Sequence, residues 1–186
     1  MNKNFTRLAF TDSVKEAQQH YGTRKAYARM ETSGDRYQLT AREAEYIHSR
    51  DSFYQATVGE NGWPYVQFRG GPKGFLKVID ETTLGHADFR GNGQYISTGN
   101  LQAENRASLI LMDYAHQQRL KIWAEVDIVD PATDGPLLQQ LSMPDYRARI
   151  ERLVVFKIEA YDWNCPQHIT PRYTDAEIGQ FSQDKS

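Results

Sequence analysis

Alternation of apolar and polar residues, with a period of two, governs the chain beyond about residue 50. From Arg119 to Val129, the residues Leu120, Ile122, Ala124, Val126 and Ile128 point one way, and Arg119, Lys121, Trp123, Glu125 and Asp127 point the other. Such a run is longer than the ~5–6 residues of an ordinary strand and predicts a bent barrel strand. Arg152–Tyr161 repeats the pattern with Val154, Phe156, Ile158 and Ala160 inward, and Ala107–Met112 reads as a buried apolar strand. Shorter extended segments are expected at Phe53–Val58, Tyr65–Arg69, Gly74–Ile79 and Thr83–Asp88, separated by Gly, Pro, Asn or Asp. Asn61-Gly62 between the first two is a hairpin signal.

Helical signals are fewer. Thr40-Ala-Arg-Glu43 is a capping box that opens a helix from about Ala41 to Arg50, with Leu39 stapled to Ala44 and with Ala44, Ile47 and His48 on one face. Ser13-Val-Lys-Glu16 has the same spacing, and Gly22 ends the short helix that follows it. Leu101–Arg106 reads as a short helix with Asn100 as its N-cap, and Pro136–Leu141 as another that Tyr146–Glu151 prolongs. Helices between nearly all strands, which a parallel βαβ sheet needs, are missing. The expected fold is a six- to seven-stranded antiparallel barrel with peripheral helices. Residues 1–38 form an extension over the surface or a partner subunit, 39–174 the barrel domain, and 175–186 a mobile tail.

Composition narrows the function classes. A chain of 186 residues with net charge −2 fits one domain and has no global basic field to recruit nucleic acid. No apolar run approaches the ~20 residues that span a bilayer, and the charged N-terminus reads as retained. One cysteine, Cys165, excludes an intrachain disulfide framework and fits a reducing, cytoplasmic compartment. With no HExxH, no CxxC and scattered histidines, a built-in metal site has little support. Abundant aromatic residues suit either a dimer interface or stacking on a flat cofactor ring.

Candidate chemistry concentrates between Gly59 and Gly99, where nine of the thirteen glycines are interleaved with Arg69, Lys73, Lys77 and Arg90. Cations beside backbone that a ligand can approach closely suggest an anionic ligand such as a phosphate; tight turns with solvated charges are the other reading. Cys165 is either a redox thiol or a small packing residue, and His168 a general acid or a structural hydrogen-bonding group.

The RGGP–GFLKV–D, ADF–GN–QYIS–GN and NCPQHI elements, with RLKIW and DWNCPQHITPRY, resemble the FMN-binding split-barrel proteins related to pyridoxamine 5′-phosphate oxidase, over about Arg50 to Tyr173. The resemblance implies a homodimer with FMN in each cleft between subunits. It places the FMN phosphate at Arg69 with the adjoining Gly70, at Lys77 and at Ser97. It sets the backbone of Asp88 and Phe89 against the flavin ring, with Asn92, Gln94 and Asn100 as amide contacts. From the second subunit it implies Arg119 near the pyrimidine end and Trp123 at the cleft. Trp163 aligns with a tryptophan after the last strand and Arg172 with a later basic position, while Asn164, Gln167 and His168 reach cofactor or substrate. The oxidase's terminal Arg-x-His-x-Arg segment is absent, which argues against pyridoxamine phosphate as substrate. The implied function is an FMN-dependent oxidoreductase acting on a small organic molecule. A non-catalytic flavin or haem carrier, a deazaflavin-dependent reductase and a purely structural interaction barrel are the alternatives.

Overall fold

The computed structural model describes residues 4–32, 34, 37–163 and 165–183. Its centre is one sheet of seven strands, β1 (Ser52–Val58), β2 (Pro64–Gly70), β3 (Lys77–Asp80), β4 (Thr83–Phe89), β5 (Arg106–Asp113), β6 (Gln118–Val129) and β7 (Ile150–Trp163). The order is β2-β1-β5-β6-β7-β4-β3, with every neighbouring pair antiparallel. β2 and β3 are therefore the two edges of an open sheet, the split-barrel arrangement. The ends are drawn together across the interior: Arg69 of β2 meets Asp88 of β4 at 2.7 Å, and the Phe53 and His86 rings lie 5.6 Å apart. The inward residues expected for β6 and β7, from Leu120 to Val126 and from Val154 to Ala160, are buried; Ile128 packs against that core from a half-buried position.

The helices are α1 (Phe5–Ala9), α2 (Asp12–His20), α3 (Arg24–Glu31), α4 (Ala41–His48), α5 (Ile96–Ala103), α6 (Gly135–Leu141) and α7 (Asp175–Gln183). α4 keeps its capping box, but its buried face is Glu43, Tyr46 and Ile47. His48 is exposed, and its Nε2 accepts from the Val78 N–H at 3.3 Å. α2 starts at Asp12, ahead of the Ser13 box, and Gly22 follows its end at φ 75°. α5 begins five residues before the expected Leu101, with Tyr95 as its N-cap residue. Asn100 is thus no cap; its amide donates to Thr57 Oγ1 on β1 at 3.0 Å, a tertiary bond that ties α5 to the barrel. α6 is not prolonged: it ends at Leu141, Ser142 turns extended, and Pro144 follows. β3 is shorter than expected because Gly74 (φ 78°) and the turn from Pro72 to Phe75 precede it. α7 occupies the stretch read as a tail and carries its own capping box, Thr174 with Glu177.

α6 closes one end of the barrel by packing on Gly85, where an added Cβ would meet Ile79 and Leu141 at 2.9 and 3.0 Å. The N-terminal arm lies on its own barrel. Phe5 packs against Trp123 at 4.8 Å between ring centroids, beneath the Lys121 ammonium at 4.5 Å, and Arg7 Nε donates to the Glu31 carbonyl at 2.6 Å.

Candidate functional site

A cleft of about 170 Å³, open to solvent, lies between β2, the β4–α5 loop, the first turn of α5 and the start of β7. Strand parity builds its floor. Tyr65, Gln67 and Arg69 alternate along β2 with exposed Val66 and Phe68, so the polar side chains turn inward. Asp88 shares the inward face of β4 with Leu84 and His86, and Arg152 is in phase with Val154 and Phe156 of β7. Asp88 bridges both arginines: Arg69 Nη1 reaches Oδ1 at 2.7 Å and Arg152 Nη1 reaches Oδ2 at 2.9 Å. Arg152 also donates to Thr98 Oγ1 (3.0 Å) and Glu151 Oε2 (2.7 Å), and lies 4.9 Å from the Tyr95 ring centroid.

The opposite wall is the start of α5. Tyr95 holds a left-handed conformation (φ 53°), preceded by Gly93 at φ 77°. The first helical bond in this turn runs from Gly99 N–H to the Tyr95 carbonyl, and no side chain caps it. Ile96, Ser97 and Thr98, whose N–H groups precede that bond, all line the cleft. An uncapped helix start carries partial positive charge and unsatisfied donors. Ser97 Oγ donates to Gln67 Oε1 at 2.7 Å, joining this turn to β2. Arg69 Nε is buried and has no hydrogen-bond partner among the described residues. Burial disfavours the Arg69 charge, Asp88 restores it and Arg152 opposes it. A helix start and an arginine with an unpaired N–H have the chemistry to accept an anionic group, beside the two carboxylates, Asp88 and Glu151, that also line the cleft.

Behind Asp88, His86 is enclosed by the rings of Phe53, Phe75 and Phe156. Its Nδ1 faces the Ala87 carbonyl at 3.1 Å, and burial lowers its pKa to about 4, so it is a neutral ring with the proton on Nδ1.

Of the candidate residues from the sequence, the fold gathers Arg69, Asp88, Phe89, Asn92, Gln94 and Ser97 around the cleft. It does not gather the rest. Gly70 turns to the other side of β2, where a Cβ would meet the Phe68 ring at 2.9 Å. Lys77 sits on the edge strand β3 and Asn100 serves Thr57. Arg119 and Trp123 belong to the outer face of β6, with Trp123 covered by Phe5. Trp163 donates through Nε1 to Glu43 at 2.7 Å, beneath Arg42. Gln167 and His168 are exposed, His168 at φ 64°, and Cys165 is exposed as well. Arg172 lies over the Tyr114 ring. Asn164 falls outside the described residues. Of the clustered glycines only Gly91 and Gly93 line the cleft; Gly62, at φ 81°, serves the Asn61-Gly62 turn. Sequence reasoning missed Gln67, Tyr95, Thr98, Glu151 and Arg152. Arg152 did carry a signal: a cation in phase with four inward apolar residues implies a buried partner.

The family described as pyridoxamine 5′-phosphate oxidase has a model that matches residues 39–165. A search of curated proteins finds no match. Among solved structures, the chain is similar to a protein assigned as pyridoxamine 5′-phosphate oxidase from Lactobacillus delbrueckii (17% identity, 68% of this chain and 94% of that one, TM-score 0.53). It is similar to HupZ of Group A Streptococcus (13% identity, 73% and 100% covered, TM-score 0.55). A third is an FMN-binding protein from Syntrophomonas wolfei (15% identity, 79% and 97% covered, TM-score 0.50). At such identities these structures speak to the fold.

Proposed function

The chain belongs to the pyridoxamine 5′-phosphate oxidase family, and from that premise we propose that it is a flavoprotein that binds FMN at a homodimer interface and oxidises or reduces a small organic substrate. The observation that carries the proposal is the cleft, in which the unpartnered Arg69 Nε and the uncapped start of α5 suit a phosphate monoester. Arg69 and the Ser97 turn would hold the phosphate, and Asn92 and Gln94 would contact the cofactor's polar edge. FMN supplies the electron-transfer chemistry when bound; the protein orients it and sets access.

A second copy is part of the reading. Tyr54, Val58, Val66 and Phe68 leave an apolar face of β1 and β2 exposed, as an interface would need. Arg119, Gln167 and His168 do not line the cleft of their own protomer, and a partner could supply them. Arg119 Nε, buried without a hydrogen-bond partner among the described residues, suits a ligand arriving from the neighbouring subunit. A cytoplasmic setting and a substrate other than pyridoxamine phosphate belong to the same proposal.

Titration of purified protein with FMN should quench flavin fluorescence and shift the flavin absorbance. Arg69→Ala should weaken FMN about tenfold or more, from the loss of a charge-assisted contact. A protein that neither carries nor takes up FMN would end the proposal.

A further inference from the structure

The proposed phosphate site has an unusual arrangement: its arginine already faces a carboxylate. Asp88 is 5% exposed, and an isolated Arg–Asp pair frequently closes into a two-bond fork, with both carboxylate oxygens on one guanidinium edge. Such a fork would occupy Arg69's donors and cancel its charge. Here the fork is open. Arg69 holds only Oδ1, through Nη1, and its Nε has no partner among the described residues; Oδ2 is held by Arg152.

We propose that Arg152 is a positioning residue that keeps Arg69 available to a phosphate by occupying the second oxygen of Asp88. This rests on the function proposed above. The guanidinium of Arg152 is committed to the protein on every side the contacts show: Asp88 and Thr98 from Nη1, Glu151 from Nη2, and the Tyr95 ring against its plane. Its side chain is 15% exposed, as a fixed strut requires. One side chain thereby ties β7 to β4 and to the first turn of α5, so the donors of that turn and Arg69 are held toward the same space. With Arg152 removed, Asp88 is free to rotate onto Arg69 and chelate it, and Thr98 loses its tie.

The consequence is selective. The Arg152→Gln variant should lose affinity for FMN but not for riboflavin, which lacks the phosphate. Its ratio of riboflavin to FMN dissociation constants should fall about tenfold, with riboflavin binding within about twofold of the parent protein. Adding Asp88→Asn, which removes the competing carboxylate, should restore at least about threefold of that preference, a coupling that independent sites do not show. Arg152→Lys, a milder change, should fall between parent and Arg152→Gln because a single ammonium cannot span Asp88, Thr98 and Glu151.

Fluorescence titrations with FMN and riboflavin read these ratios. The same four proteins heated with and without inorganic phosphate give an arm independent of flavin: phosphate should raise the melting temperature of the parent and the double variant, and not of Arg152→Gln. An unchanged flavin ratio, a proportional loss of both flavins, or no recovery in the double variant would overturn the role given to Arg152. A parent that binds no flavin but shows the phosphate pattern would sink the FMN proposal and leave the positioning role standing. A parent stabilised by neither would end both.

Discussion

His86 is a histidine in a place that suits a phenylalanine. Three aromatic rings surround it, it is 2% exposed, and its Nε2 lone pair has no partner among the described residues. Burial lowers its pKa to about 4 from an ordinary value of 6.5. Between those values the unfolded chain binds a proton that the folded chain refuses. The neutral ring's contribution is therefore fully present above about pH 6.5 and is lost as the pH falls toward about 4, by up to roughly 3 kcal/mol. His86→Phe should remove that part of the slope. Urea unfolding from pH 7 to pH 4.5 should show a variant less acid-sensitive than the parent and no less stable at pH 7; parallel slopes would assign the sensitivity elsewhere. Residues of this kind show why the site was only half legible. Arg69 stands out because a cation beside glycines is visible locally, whereas Ser97 is reached only through the family resemblance. Arg152 and Asp88 acquire their meaning only when β2, β4 and β7 come together.

Among the elements, α4 shows what local sequence can and cannot specify. Its box is read directly from Thr40-Ala-Arg-Glu43, because the partners are three residues apart: Thr40 N–H donates to Glu43 Oε2 at 3.1 Å. The third member, Trp163, comes from the end of β7, 120 residues away, and donates to Oε1 at 2.7 Å. Burial pushes the Glu43 carboxyl upward, but the hydrogen bonds from Thr40 and Trp163 outweigh it and hold the group below its usual range. Glu43→Ala removes the cap and strands the indole N–H, at a cost of about 2–3 kcal/mol. Glu43→Gln, which keeps an acceptor, should cost about half as much. Denaturant titrations would measure both, and a loss under about 0.5 kcal/mol for the alanine variant would mean the cap adds nothing. The same logic explains α5. Asn100 has the chemistry of a cap, yet its amide is used by Thr57, while the true start has a tyrosine in a left-handed conformation and no capping signal. Strands fared better, since alternation survives even where a bulge shifts register, as between Trp123 and Ala124.

At the scale of the molecule, β2 carries the cleft on one face and an uncovered apolar surface on the other. Its inward residues Gln67 and Arg69 face the cleft, and its outward residues Val66 and Phe68 are 60% and 59% exposed. Register sets Phe68 beside Tyr54 and Val66 beside Ala56 of β1, so the apolar side chains form one continuous face. That face explains why Tyr65–Arg69 is apolar on one side and polar on the other while lying at a sheet edge. An uncovered edge face of this kind invites a second copy. The arm of α1–α3 does not cover it, since Phe5 sits on Trp123 of β6 instead. Phe68→Glu would place a charge in the middle of the face without touching Arg69, Asp88 or Arg152. Sedimentation at micromolar concentration should find the parent as a dimer and the variant as a monomer with unchanged circular dichroism. If the cofactor is completed by Arg119 of a second copy, FMN affinity should fall with the dimer and recover at high protein concentration, where mass action restores pairing. A parent that sediments as a monomer, or a monomeric variant that binds FMN as tightly as before, would separate the cleft from the interface and confine the ligand to one protomer.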